Sequence, residues 1–63
     1  MPLELDVFKR ASMIYRKHCR HFGVTPDQPI QSVSTQSAHF VYLRNVNGLL
    51  AIYDTKKSRV ILR

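Results

Sequence analysis

Between Leu3 and Phe22 the apolar positions recur every three or four residues: Val7, Phe8, Ala11, Ile14, Tyr15, His18, Cys19 and Phe22. At about 100° per residue they fall within an arc of about 140°, the signature of an amphipathic helix with a face broad enough to cover a sheet. The spacing predicts a helix over 3–22. Glu4 and Asp6 stand near its start and Arg16, Lys17, Arg20 and His21 near its end, each sign matched to the local end of the helix dipole. Gly23 supplies a left-handed cap and Pro26 opposes any continuation.

The period then changes. Residues 38–44 and 49–54 are rich in β-branched and aromatic side chains, which favour strands. Asn47-Gly48 between them is the preferred pair for a two-residue type I′ turn. A polar turn over 54–58 leads to a closing strand at 59–63. The connection over 24–37 holds Pro26, Asp27 and Pro29, followed by a run of Gln, Ser and Thr. It predicts a turn and an optional short edge strand near 31–34. The expected architecture is one α+β domain over 1–63, a helix packed on a three-stranded antiparallel meander.

Placing Asn47-Gly48 at the turn pairs Val46 with Leu49, Leu43 with Ile52 and Tyr42 with Tyr53; the next hairpin pairs Ile52 with Ile61 and Tyr53 with Val60. One face of the sheet then carries Val41, Leu43, Leu50, Ile52 and Ile61. The other carries Phe40, Tyr42, Arg44, Val46, Leu49, Ala51, Tyr53, Val60 and Leu62. Both are apolar, whereas an antiparallel sheet with one wetted face alternates apolar and polar residues. One helix covers one face, and the aliphatic one is the expected choice. The candidate interface is therefore Phe40, Tyr42, Arg44, Leu49, Tyr53, Val60 and Leu62, since interface cores favour aromatics and Arg. Exposed apolar patches of this kind mark interaction sites. The expected occupant is a second copy of the chain, giving a homodimer through the sheet, with the 24–37 segment or a different protein as alternatives.

Size reinforces this expectation. A chain of 63 residues has a marginal core, and small domains usually add a staple. Cys19 is the single cysteine, so an internal disulfide is excluded. One free thiol and the acidic residues near Met1, which do not suit a secretory leader, predict a cytoplasmic protein. No stretch is long and apolar enough to span a membrane.

Charge brings in a second surface. Ten Lys and Arg against four Asp and Glu leave a net charge of +6 and a pI near 10.1, a balance that favours anionic partners. Opposite the apolar stripe the predicted helix presents Lys9, Arg10, Arg16, Lys17 and Arg20, and Lys56 and Lys57 form a separate cluster in the last turn. Such a helix can neutralise phosphates and release counterions. The same pattern also describes a plain solvated helix face. Nucleic acid leads as the partner, an acidic protein follows, and contact with a membrane surface is disfavoured because the apolar side is committed to the sheet.

Chemistry-bearing motifs are sparse. His18 and His21 lie one turn apart, but a zinc site needs three or four protein ligands, so no metal is expected and Cys19 reads as a packed thiol. The carboxylates Glu4, Asp6, Asp27 and Asp54 are scattered, and neither a phosphate loop nor a nucleophile elbow occurs. His39 is the one candidate acid–base residue. The α-β-β-β order resembles, in topology alone, the double-stranded-RNA-binding architecture and the small ribonuclease toxins built on it, some of which use a strand histidine. No motif aligns and the closing helix has no counterpart, so membership does not follow. The expectation is a non-enzymatic, cofactor-free basic binding module. The competing reading is an accessory or adaptor subunit docking through its aromatic sheet face.

Overall fold

The computed structural model describes residues 3–62, the side chain of Leu62 excepted. It contains helix α1 (Leu5–His21), a 3-10 turn (Gln31–Val33) and strands β1 (Thr35–Ser37), β2 (Phe40–Asn45), β3 (Gly48–Asp54) and β4 (Arg59–Leu62). The strands form one antiparallel sheet in the order β1-β2-β3-β4. This is the expected α+β class with its fourth, edge strand present. Arg63, assigned to the closing strand from sequence, lies outside the described residues.

The helix ends as its residues dictate. Gly23 adopts φ +70°; its N–H reaches the Arg20 carbonyl at 3.2 Å, and the Val24 N–H reaches the Cys19 carbonyl at 2.8 Å. That pair of bonds is a Schellman cap, which requires the left-handed residue that glycine supplies without strain. Phe22, expected in the apolar stripe, falls past the last turn and is 63 % exposed. Leu3 precedes the helix but is buried, and its carbonyl accepts a hydrogen bond from Gln31 Nε2.

The core consists of Ala11, Tyr15 and Cys19 from α1, with Leu3, against Val41, Leu43, Ala51, Tyr53 and Val60 from the sheet. Val7, Phe8, Ile14 and Leu50 pack around it. Fully burying a side chain such as Leu43 or Val41 is worth about 1.5–3 kcal/mol, so this small set carries much of the fold's stability.

The edge strand lies later than 31–34. Ser34 explains the shift: its Oγ accepts the Arg44 N–H at 3.0 Å and donates to the Ile30 carbonyl at 2.8 Å. The Ile30 N–H meanwhile reaches the Arg44 carbonyl at 2.8 Å. With both backbone groups of Arg44 engaged this way, residues 31–33 loop out as a 3-10 turn and strand pairing begins at Thr35.

The second hairpin has the expected register, Ile52 opposite Ile61 and Tyr53 opposite Val60. The first does not. Asn45 pairs with Gly48, so the turn residues are Val46-Asn47, and the Asn45 side chain accepts the Asn47 N–H at 2.8 Å. Arg44 then pairs with Leu49 but Leu43 with Ala51, leaving Leu50 as the extra residue of a bulge. Tyr42 consequently faces Ile52, and Val41 faces Tyr53. A one-residue slip moves a strand's side chains to the opposite face. Tyr53 and Val60 lie beneath the helix, with Tyr53 only 3 % exposed, while Ile52 and Ile61 are paired with Tyr42 on the face turned away from it.

Candidate functional site

Residues Val24–Ile30 form a strap alongside the helix. Tyr15, whose ring belongs to the core, accepts the Asp27 N–H on its hydroxyl at 3.2 Å. Arg16 Nη2 donates to Gln28 Oε1 at 3.5 Å, and Asn45 Nδ2 donates to the Gln28 carbonyl at 3.4 Å. Pro29 is buried. Burial pushes the Tyr15 phenol above its usual range; the Asp27 N–H acts against this and neighbouring Cys19 adds to it.

The strap turns a convex helix face into a cleft of about 500 Å³. Its lining follows the helix at positions 9, 12, 13, 16, 17 and 20, the i, i+3, i+4 spacing of one surface stripe. Lys9, Arg16, Lys17 and Arg20 supply the charge. Phe8, Met13 and Pro29 supply apolar surface, and Ser12 and Gln28 complete the lining. No carboxylate among the described residues takes part. Among the described residues the one approach of a basic side chain to a carboxylate within 4 Å is His39–Asp54, at 3.9 Å, so these cations have no acidic partner.

A second depression of about 380 Å³ adjoins the first, sharing Arg16 and Arg20 and continuing along Gly23, Val24, Thr25 and Pro26. Together the two follow the strap from Pro29 back to Gly23. The cations between Lys9 and Arg20 therefore extend along a track of about 16 Å, the rise of that stretch of helix.

Four of the five helix cations named from sequence thus gather at one cleft. Arg10 does not join them. It faces a separate pocket of about 370 Å³ with Asp6, Val7, Gln36, Tyr53 and Thr55. Lys56 and Lys57 sit on the β3–β4 turn, where their backbone N–H groups bond Asp54 Oδ1 at 2.9 and 3.2 Å. Sequence reasoning missed Ser12, Gln28 and Pro29. Ser12 lies just beyond the apolar arc yet is buried, and it lines the cleft together with Gln28 and Pro29 of the strap, neighbours that helical periodicity does not register.

Of the sheet candidates, Phe40, Tyr42, Arg44 and Leu49 remain half-exposed, with the Arg44 guanidinium 5.9 Å from the centre of the Tyr42 ring. Tyr53 and Val60 are removed from that surface by the register described above. Leu62's side chain lies outside the described residues. The strap's hydrogen bonds run to the helix and to the β2 end of the sheet.

No family model matches the chain, and no curated protein or solved structure shows significant similarity to it.

The groups considered for chemistry are engaged locally. His18 and His21 both pack on Phe22, with ring centres 4.7 and 5.0 Å away. Among the described residues no three His, Cys, Asp or Glu side chains converge on a point that could hold a metal ion, and no helix is long and apolar enough to cross a membrane. Asp54 is buried, which by itself would raise its pKa. The backbone N–H groups of Lys57 and Lys56, with the charges of His39 and Lys57, outweigh this and hold the carboxyl below its usual range. Asp54 Oδ1 accepts both N–H groups of the turn, while the His39 carbonyl accepts both the N–H and Oγ1 of Thr55 at 2.9 Å.

Proposed function

We propose that this chain is a small, non-catalytic basic module that binds nucleic acid through the cleft between its helix and the strap. The observation that carries this reading is the set Lys9, Arg16, Lys17 and Arg20, aligned along one cleft with no carboxylate among the described residues in its lining. A net charge of +6 adds a long-range attraction for polyanions and raises encounter rates. Phosphate contacts of this kind give affinity without sequence readout.

Retention of single- and double-stranded oligonucleotides on filters across a salt series tests the reading. Replacing Arg16, Lys17 and Arg20 by Gln removes three exposed charges. Loss of retention at moderate salt is expected, with the slope of log K against log salt reduced by about two to three, the counterion share of three phosphates. Unchanged binding by this variant, with its circular dichroism intact, would overturn the proposal.

A second reading is favoured by the outer sheet face. Phe40, Tyr42, Leu49, Ile52 and Ile61 form an apolar surface that the helix does not cover. On this reading the face docks on another copy of the chain or on a protein partner, and the positive charge steers the encounter.

A further inference from the structure

The cleft carries features that a phosphate backbone alone does not use. Phe8, Met13 and Pro29 give it an apolar wall beside the cations. Met13 is 54 % exposed in the middle of an otherwise cationic stripe, so its thioether is open to an incoming group. Ser12 lines the same cleft at 9 % exposure, and its Oγ has no hydrogen-bond partner among the described residues. A buried hydroxyl left unpaired is costly, and a polar group entering the cleft would satisfy it. The adjoining depression repeats the theme, with Val24 and Pro26 as apolar surface beside the shared Arg16 and Arg20.

Apolar pockets alternating with cations along a track match a ligand that alternates in the same way. A single nucleic-acid strand does so, its unstacked bases offering apolar faces and its backbone regularly spaced anions. A duplex keeps the faces of its bases stacked inside and presents phosphates and groove edges, which would leave Phe8, Met13 and Pro29 unfilled. The volume of about 500 Å³ falls in the range of small-molecule sites, enough for a base with its sugar.

Resting on the nucleic-acid reading above, we propose that the cleft takes a single strand, with one base seated against Phe8, Met13 and Pro29 over the Ser12 hydroxyl. The flanking phosphates lie on Arg16 and Arg20, and the next base enters the depression at Val24 and Pro26. Recognition is tolerant of sequence, because every base has an apolar face and Ser12 offers one hydroxyl, which donates or accepts.

The test compares three ligands of equal length at one salt concentration by fluorescence anisotropy: a single-stranded oligonucleotide, its duplex, and a strand of abasic sites. The normal strand is expected to bind at least about fivefold more tightly than the abasic strand, the lower end for one stacked base, and more tightly than the duplex. Met13→Ser, at an exposed position, is expected to shrink the ratio of normal to abasic affinity toward one. Equal affinity for all three ligands would overturn this inference while leaving the basic-module reading in place. The inference also fails if Met13→Ser leaves a normal-to-abasic preference undiminished. Absence of binding to every oligonucleotide, or capture by anionic phospholipid vesicles instead, would overturn both.

Discussion

Tyr15 joins the core to the strap that walls the cleft through one side chain. Its ring packs with Ala11 and Cys19, and its hydroxyl accepts the Asp27 N–H that holds the strap beside the helix. Tyr15→Phe keeps the ring and deletes the acceptor. We expect a loss of about 1 kcal/mol, the net worth of one such hydrogen bond, readable by chemical denaturation. Faster amide exchange at Asp27 and its neighbours should accompany it, and the strand preference proposed for the cleft should weaken. Exchange unchanged at Asp27 would show that other contacts fix the strap. Tyr15 was legible in sequence as a core residue, since its position on the helical stripe announces burial. Its second role was not legible, because a bond across twelve residues of chain depends on where the strap returns. Ser34 gives the same lesson. In composition it is one polar residue in a polar run, yet its hydroxyl takes the Arg44 N–H and thereby decides where the edge strand starts.

The two hairpins behave differently as elements, and their residues explain why. In β3–β4 the Asp54 carboxylate bonds the N–H groups of Lys56 and Lys57, which pins the turn and leaves one register. In β2–β3 every residue from Leu49 to Tyr53 is apolar, so no polar position says which side faces out, and register is weakly specified in such a run. Asn47-Gly48 pointed to one turn; the Asn45 side chain stabilises another, and the bulge at Leu50 sets the faces. The Asp54 turn also predicts a pH dependence. Its folded pKa lies below the ordinary value of 3.8, so it contributes stability above that pH and loses it as pH falls through the folded pKa. Asp54→Asn should therefore lower Tm at pH 7, with the deficit relative to the parent shrinking below about pH 4. Thermal melts from pH 7 to pH 2 check this; a deficit constant across that range would exclude the carboxylate's charge as the cause.

For the whole molecule, one helix shields one side of a four-stranded sheet. The surplus of apolar sheet survives the change of register, although its membership changes: Ile52 and Ile61 replace Tyr53 and Val60 beside Phe40, Tyr42 and Leu49. If this face mediates self-association, sedimentation equilibrium at micromolar concentration should give a dimer mass for the parent chain. Tyr42→Asp, at a half-exposed position, should give a monomer, because an unpaired charge in an apolar interface is costly to desolvate. A parent chain that sediments as a monomer removes the self-association form of the second reading. The cleft and this face lie on opposite sides of the sheet, so a dimer formed through the latter would leave both clefts open.

By itself the sequence determined the helix and its cap, the α+β class, the register of the last hairpin and the gathering of cations on one helix face. Each of these follows from local spacing, from a single residue's backbone preference or from charge count. Only the tertiary structure decided which apolar residues of β2 and β3 meet the helix and which cations share a cleft. It also brought Ser12, Gln28 and Pro29 to that cleft. These outcomes depend on a bulge, an Asn side chain and a returning strap whose partners are far away in the chain, and distance in sequence carries no signal of proximity in space.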